Sequence, residues 1–210
     1  MRESSNMESH SVPAGDAAAI DWEARYRAGD TPWEKGRPHP GLIWWLRERR
    51  LSGRIVVPGC GSGHDVRYLA AKGASVHGLD VAESALKSAA KYPLVGTEEY
   101  RLCDICQPDP SLVGTFDHAF EHTCFCALHP SQREPYLHGL TSLLKPGGTL
   151  LAIFYLNPDH EEPGPPYGIP RQDLLSLLSK NYLPLFEATG IPTYPGREGR
   201  ELIIHLRKKI

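Results

Sequence analysis

The sequence has no apolar run long enough to cross a membrane, and its first twenty residues carry acidic and polar groups where a secretory signal needs an apolar stretch. A membrane protein and a secreted protein are therefore not expected. The five cysteines are an odd number and favour reduced thiols, so we expect a cytoplasmic protein. We predict that residues 1–18 are a disordered lead-in and that residues 19–210 form one domain, which is long enough for a single core.

The sequence also has no excess of basic residues. Its formal net charge is −2, and lysines and arginines are scattered or lie near the two ends of the domain. A nucleic-acid enzyme usually carries a basic stripe, so DNA and RNA substrates are not expected. Internal repeats and low-complexity tracts are absent as well. We therefore expect the protein to act on a small molecule. We also expect it to be a monomer.

What the sequence does contain is an alternation of short apolar strands with helix-like segments, followed by two strands joined by a Pro- and Gly-rich loop. Alternating strands and helices imply crossover connections and a mainly parallel sheet. The final loop is too short for a helical crossover, so the last two strands should pair antiparallel. The predicted strands are Arg54–Val57, Ala74–Leu79, Glu99–Cys103, Phe116–Phe120, Thr149–Leu156, Leu183–Ala188 and Glu201–Arg207, and the predicted helices are Gly63–Lys72, Ala82–Tyr92, Gln132–Leu144 and Arg171–Lys180. Lys145–Gly148 reads as the turn that stops the third helix.

Three glycines at alternate positions, Gly59, Gly61 and Gly63, follow the first strand and open a helix. Glycines there let the backbone pass close to a bulky ligand, although a tight turn in any α/β protein has the same pattern. The spacing differs from the dinucleotide fingerprint, whose last glycine lies three residues after the second. This difference favours a nucleoside ligand without a pyrophosphate.

Asp80 ends the second strand, nineteen residues after Gly61. A carboxylate there can accept hydrogen bonds from both ribose hydroxyls of a nucleoside, because ligands of such sheets bind beyond the carboxyl ends of the strands. Alternatively, Asp80 is a helix N-cap, with Glu83 three residues later, and Ser84 is another possible cap. Asp104, at the end of the third strand, can meet an adenine amino group or can be a solvated loop acid.

Several narrower motifs resemble those of the thiopurine S-methyltransferase superfamily, and most closely those of its plant-type thiol, thiocyanate and halide methyltransferases. The resemblance covers roughly residues 20–208. It implies a single Rossmann-like class I methyltransferase domain: a mainly parallel seven-stranded sheet with a C-terminal antiparallel hairpin and helices on both faces. It implies S-adenosyl-L-methionine as the methyl donor and no metal. The motifs are Trp22 and Trp33, Val57–Asp65, Gly78–Asp80, Phe116–Asp117, Thr123–Ala127 and Gly164–Tyr167.

The resemblance also implies roles for individual residues. Carried over by position, Trp22 and Trp33 help to cover the cofactor, Gly59 contacts its methionine portion and Asp80 its ribose. Asp104 and Ile105 flank the adenine, and Glu121 and His122 line the far side of the site. The chain departs from the pattern at Tyr26, where the family often has a second tryptophan. It departs again at Val57, where methyltransferases generally have an acid.

The reaction that fits these motifs is the transfer of a methyl group to a small soft nucleophile. Free thiols titrate near pH ~8.5, so a general base is optional, and the sequence offers no obvious base dyad. The candidates for the acceptor site are Tyr26, His122, Arg133 and Tyr167. Arg133 can steer an anion or be a solvated helix charge; His122 can face the site or simply pack; Tyr167 can close over the pocket.

Two other functions stay open: an O- or N-methyltransferase of a small aromatic metabolite, and a non-catalytic module that binds S-adenosylmethionine. DNA amino-methyltransferases also have a Pro-Pro-Tyr motif, but in those enzymes it follows the fourth strand. Pro165-Pro166-Tyr167 of this chain follows the fifth predicted strand, so a DNA substrate is not expected. The cysteine pairs Cys103/Cys106 and Cys124/Cys126 lack the spacing and the histidine partners of a zinc finger. We therefore expect no metal.

Overall fold

The computed structural model describes residues 20–157 and 164–210, so the predicted lead-in of residues 1–18 lies outside the described residues. A sheet of seven strands in the order β3-β2-β1-β4-β5-β7-β6 forms the centre of the fold. Strands β1 to β5 pair parallel, and β7 pairs antiparallel with both β5 and β6. The predicted architecture is confirmed. The strands are β1 Arg54–Pro58, β2 Ser75–Asp80, β3 Thr97–Leu102, β4 Phe116–His122, β5 Leu144–Tyr155, β6 Tyr182–Thr189 and β7 Glu201–Lys208.

The central strands are buried on both faces because helices cover the sheet from both sides. In β1, Val56 packs into one apolar cluster, whereas Ile55 and Val57 pack into the other. Successive side chains of a strand point to opposite faces, which explains this division. The continuous apolar runs of β1 and β5 are thus the signature of a strand between two helical layers.

Within the described residues, six α-helices surround the sheet, and the first two were not predicted. They are α1 Trp22–Ala28, α2 Pro40–Trp45, α3 His64–Ala71, α4 Glu83–Ala89, α5 Arg133–Leu143 and α6 Arg171–Ser179. Helix α1 contributes no residue to the buried core, and its seven residues are too few to show a clear helical period. Helix α2 has only six residues; Pro40 starts it, and the His39 side chain accepts a hydrogen bond from the Gly41 N–H.

The segment Lys145–Gly148 differs from the predicted turn, since it belongs to β5. Strand β5 pairs with β4 at Leu144 and again at Thr149, while β4 advances only from Phe116 to His118. The extra residues therefore form a bulge, and Gly147, with φ of 73°, provides the left-handed conformation in it.

The strand order creates a crevice beside β1. The chain winds from β1 to β2 and β3 on one side and then returns to β4 on the other side of β1. The carboxyl ends of β1 and β4 diverge at such a reversal, which is where open α/β sheets bind ligands. No helix in the described part of the chain combines the length and the apolar character that a bilayer crossing requires.

Candidate active site

A cavity of about 290 Å³ lies at the carboxyl ends of the parallel strands. Most of the predicted site residues meet there although they come from distant parts of the chain. Those that line the cavity are Trp22, Tyr26, Trp33, Gly59, Gly61, Asp80, Asp104, Ile105 and His122. Gly63, Glu121, Arg133 and Tyr167 were also predicted as site residues, but they are not part of the lining.

Contacts within the protein explain two of the three glycines in the turn after β1. Gly59 and Gly63 have φ of 57° and 74°, a region that L side chains rarely adopt. A Cβ on Gly59 would lie 2.7 Å from Cys124 Sγ, and one on Gly63 would lie 2.5 Å from the Tyr100 hydroxyl. At Gly63, packing within the protein rather than the approach of a ligand accounts for the glycine.

Asp80 is the last residue of β2 and is only 6% exposed. One carboxylate oxygen accepts from the Gly61 N–H at 2.9 Å, and the other accepts from the Ala82 N–H at 2.9 Å. The N-cap of α4 is Ala82, so the alternative that Asp80 caps this helix is wrong. Burial raises the pKa of Asp80 although both N–H groups oppose this effect. Each oxygen keeps a further lone pair, so the carboxylate can still accept hydrogen bonds from a ligand.

Glu23 attaches helix α1 to the first turn of helix α4, which follows Asp80 in the chain. Its carboxylate accepts from the Ser84 N–H at 2.9 Å and from the Ser84 hydroxyl at 2.7 Å, and these bonds lower the pKa of Glu23. A side chain on α1 thus caps the first turn of α4. The two residues are distant in sequence, which is why the cap was not predicted.

An aromatic wall closes one side of the cavity. The rings of Trp22 and Trp33 meet edge to face with centroids 5.5 Å apart, and the Trp33 indole N–H donates to the Tyr26 hydroxyl at 3.2 Å. Burial raises the pKa of Tyr26 far above its usual value, so its hydroxyl stays protonated. Glu34, just after this wall, accepts from His64 at 3.1 Å and from the Ser62 hydroxyl, and thereby ties the wall to the glycine turn.

Asp104 and several cysteines also line the cavity. Asp104 is exposed at the rim, where it accepts from the Cys106 N–H at 2.8 Å, whereas Ile105 is buried. All five cysteines of the chain line this one cavity: Cys60, Cys103, Cys106, Cys124 and Cys126. Burial raises the pKa of the Cys106 thiol to about 11 and that of Cys126 to about 12, and it also raises those of Cys60 and Cys124 well above their usual value.

A network of two histidines and two acids lies beside the cavity. His122 Nδ1 and Asp65 Oδ2 are 2.9 Å apart, and the other Asp65 oxygen accepts from the His39 backbone N–H at 2.8 Å. His39 Nε2 is 3.0 Å from Glu201 Oε2, and Arg197 donates to the second Glu201 oxygen at 3.2 Å. Asp65 and Arg197 line the cavity with His122, but the sequence motifs had not singled out either of them.

Donor atoms of His39, His122 and Glu201 lie within 4.8 Å of one another, a spacing that a metal ion would permit. The hydrogen bonds do not fit a metal, however. His39 Nδ1 accepts from the Gly41 N–H, so the ring proton is on Nε2 and no lone pair is left for a ligand bond. Arg197 and Thr193 already donate to Glu201. The cluster is a hydrogen-bond network rather than a set of ligands.

Arg133 and Tyr167 lie behind the cavity wall. The Arg133 guanidinium is buried; it donates to the backbone carbonyls of Tyr167 at 3.1 Å and of Gly168 at 2.9 Å. The Tyr167 N–H in turn donates to the Cys126 carbonyl at 2.6 Å. Arg133 therefore holds the loop whose Pro165 and Pro166 line the cavity, and its alternative as a solvated helix charge is wrong.

Glu121, at the end of β4, is 1% exposed and accepts from the Phe125 N–H at 2.8 Å. Burial raises the pKa of its carboxyl group to about 7. Its second oxygen has no hydrogen-bond partner within residues 20–157 and 164–210. Glu121 lies behind the lining of the cavity rather than in it.

Comparison with known proteins agrees with this geometry. The family model described as Thiopurine S-methyltransferase (TPMT) matches residues 17–189. The chain belongs to the thiopurine S-methyltransferase family. It is therefore an S-adenosylmethionine-dependent methyltransferase.

Two similar proteins come from plants. The chain is 37% identical to thiocyanate methyltransferase 1 of Brassica oleracea, over 89% of this chain and 84% of that protein. It is 35% identical to probable thiol methyltransferase 2 of Arabidopsis thaliana, over 81% of this chain and 75% of that protein.

Solved structures of other methyltransferases share the fold of this chain. The crystal structure of 1,6-didemethyltoxoflavin-N1-methyltransferase from Burkholderia thailandensis, which contains S-adenosylhomocysteine, superposes with a TM-score of 0.68 at 19% identity. The superposition covers 89% of this chain and 85% of that one.

Proposed function

We propose that this enzyme transfers the methyl group of S-adenosylmethionine to a small soft nucleophile (a thiol, thiocyanate, bisulfide or a halide) by in-line displacement. The observation that carries the proposal is the Asp80 carboxylate, which Gly61 and Ala82 hold at the end of β2 in one cavity with His122. The names of the plant relatives support this class of acceptor.

The residues of the cavity fit the methyl donor. Asp80 would accept hydrogen bonds from the two ribose hydroxyls through its free lone pairs, since its backbone partners already fix its orientation. Trp22 and Trp33 would cover the donor, and Asp104 and Ile105 would flank the adenine. Gly59 and Gly61 would pass alongside the methionine portion. When bound, the donor supplies a methyl group on a positively charged sulfonium, which is already an activated leaving group.

The acceptor would bind beside His122 and Tyr194, whose ring centroids are 6.0 Å apart, in the cavity that Pro165 and Pro166 also line. Proline and aromatic side chains would help to exclude water there, and a dry site favours an anion that loses charge as it meets a sulfonium. Tyr26 would contribute a neutral hydroxyl. Arg133 would act as a positioning residue, because it holds the loop that carries the two prolines.

An acceptor panel tests the proposal. The purified protein is incubated with labelled S-adenosylmethionine and alkyl thiols, iodide, thiocyanate, phenols or amines, and S-adenosylhomocysteine binding is measured by calorimetry. We expect methylated sulfur or halide products. Turnover of phenols or amines alone would assign an O- or N-methyltransferase instead, and binding without turnover of any acceptor would assign a binding module. Absence of binding would refute the proposed donor site.

A further inference from the structure

We propose that Asp65 and His122 form a proton-accepting dyad and that the acceptor which this dyad serves is a thiol, which brings a removable proton. The proposal rests on the proposed function and narrows it, because halides and thiocyanate arrive without a proton. The juxtaposition was not visible in the sequence, where the two residues are far apart.

The hydrogen bonds of the dyad fix the proton on one ring nitrogen. Asp65 Oδ2 lies 2.9 Å from His122 Nδ1, and Asp65 Oδ1 is held by the His39 N–H at 2.8 Å. Although burial acts against ionisation, the bond from His122 keeps the pKa of Asp65 below its usual value, so the acid is a carboxylate that only accepts. His122 Nδ1 therefore carries the proton, and Nε2 has the lone pair.

His122 Nε2 has no competing partner. The atom has almost no accessible surface and has no hydrogen-bond partner in the described ranges 20–157 and 164–210. The neighbouring His39 ring, 4.4 Å away, cannot donate to it, because the single proton of His39 goes to Glu201 while its other nitrogen accepts from Gly41. Because His122 lines the cavity, a small shift of its ring would open this unsatisfied lone pair to a bound molecule, from which it could then receive a proton.

The other titratable groups of the lining are less suited to this role. His64 uses both ring nitrogens, since Nε2 contacts Glu34 at 3.1 Å and Nδ1 contacts Arg67 at 3.1 Å. Burial raises the pKa of both Tyr26 and Tyr194 far above neutrality. Within the described lining, His122 is thus the imidazole with a free lone pair.

The surroundings also stabilise the protonated product. Once His122 accepts a proton, the imidazolium faces the Asp65 carboxylate directly, as in a catalytic triad in which the acid orients and stabilises the base. The other charged and titratable groups packed around it are Glu201 with Arg197, the neutral His39, the Tyr194 hydroxyl and the preceding residue Glu121. Because Arg197 balances Glu201, Asp65 supplies the main counter-charge.

The chemical step balances with one proton transfer. The thiol sulfur forms a bond to the methyl carbon while its S–H proton passes to His122 Nε2. The bond between that carbon and the donor sulfur breaks, and its electron pair stays on the donor sulfur. The products are a methyl thioether, neutral S-adenosylhomocysteine and a protonated His122, which then releases its proton to water. An iodide acceptor undergoes the same displacement without any proton transfer.

The variant His122→Asn tests the dyad. An asparagine side-chain N–H can replace Nδ1 beside Asp65, but it has no basic nitrogen. We expect kcat/KM for an alkyl thiol to fall about 100-fold at pH 7, within the range of general-base catalysis, and the value for iodide to fall by a factor about tenfold smaller. An aromatic thiol that is already ionised at neutral pH should behave like iodide. The alkyl-thiol rate of the variant should rise about tenfold per pH unit until the pH reaches the pKa of the thiol used, which is ~8.5 for a cysteine-like thiol.

His118→Asn is the matched control, because His118 lies on the same strand, bonds to Thr149 and does not line the cavity. Calorimetry with S-adenosylhomocysteine checks that both variants keep the donor site. Equal losses with the alkyl thiol and iodide would overturn the proposal and give His122 a structural role. An unchanged alkyl-thiol rate would also overturn it, since the enzyme would then take thiolate from solution. Should the wild type turn over neither thiols nor iodide, the proposed function itself fails and the dyad with it.

Discussion

Replacing Asp80 by asparagine keeps the shape of the side chain but removes its charge. It also replaces one of the two oxygen atoms, which accept hydrogen bonds, by an NH₂ group, which can only donate them. The wild-type carboxylate is pinned by the Gly61 and Ala82 N–H groups and has lone pairs left for two ribose hydroxyls. In Asp80→Asn, the amide NH₂ must face one of these donors. A ligand hydroxyl or a backbone N–H then loses its acceptor.

The magnitude follows from the kind of bond that is lost. A hydrogen bond to a charged group contributes about 1.5–3 kcal/mol, and an unmatched buried donor costs a similar amount, so we expect S-adenosylhomocysteine to bind more weakly by about 1–3 kcal/mol. This range corresponds to about 5- to 150-fold in Kd. The effect on folding should be smaller. Burial raises the pKa of Asp80, so its charge destabilises the folded state at neutral pH, and loss of that charge offsets the lost N–H acceptor.

Calorimetric titration with S-adenosylhomocysteine and thermal unfolding without ligand measure the two effects separately. Asp109→Asn is a matched control, because Asp109 is also an acid that accepts backbone and arginine hydrogen bonds, but it lies outside the cavity. We expect the control to bind with wild-type affinity. Unchanged affinity of Asp80→Asn, with a clear loss of stability, would show that Asp80 serves the fold alone and would refute the assigned ribose contact.

Three further changes test other parts of the structure. Arg133→Ala should reduce kcat/KM for the acceptor about tenfold and leave S-adenosylhomocysteine affinity within about 2-fold, because the loop carbonyls lose their donor; full activity would contradict this positioning role. Glu23→Gln should weaken binding of S-adenosylhomocysteine and lower Tm, as measured by calorimetry and thermal unfolding, since the cap on Ser84 anchors the helix that carries Trp22. Burial lowers the pKa of His205 to about 4, so the unfolded chain binds its proton first and stability falls as the pH drops from about 6.5 towards 4. In His205→Asn, the loss of unfolding free energy between pH 7 and pH 5 should be smaller by on the order of 1 kcal/mol, as measured by urea unfolding at the two pH values. An unchanged pH dependence of stability would contradict this role of His205.

The strands, and the contact of Asp80 with the glycine turn, could be predicted because their signals are local. The apolar run Ile55–Val57 of β1 is followed closely by Gly59, and Asp80 comes nineteen residues after Gly61 at the end of the next strand. The boundaries at Lys145–Gly148 could not be predicted, since a Pro-Gly-Gly sequence specifies a bulge as readily as a turn. Only pairing with Phe116 and His118 decides between them.

The acceptor side was harder because its contacts are long-range. His122 was a candidate, but its partner Asp65 is 57 residues away and was visible only as part of a glycine motif. Arg133 was expected near the acceptor because members of the family it resembles carry an arginine at this place, in the helix after the fourth strand. The structure directs its guanidinium to loop carbonyls instead. Helix α1 was not predicted because its seven residues are too few to show a helical period and contribute nothing to the buried core.

The cysteines that surround the cavity have a consequence for the enzyme's own integrity. A methyl donor strong enough to alkylate a soft nucleophile can in principle alkylate the protein that holds it. Low polarity around Cys60, Cys106, Cys124 and Cys126 keeps these sulfurs protonated at neutral pH, and a protonated thiol is a poor nucleophile. The burial of these cysteines thus protects the enzyme from methylating its own thiols, and this protection should weaken in alkaline solution.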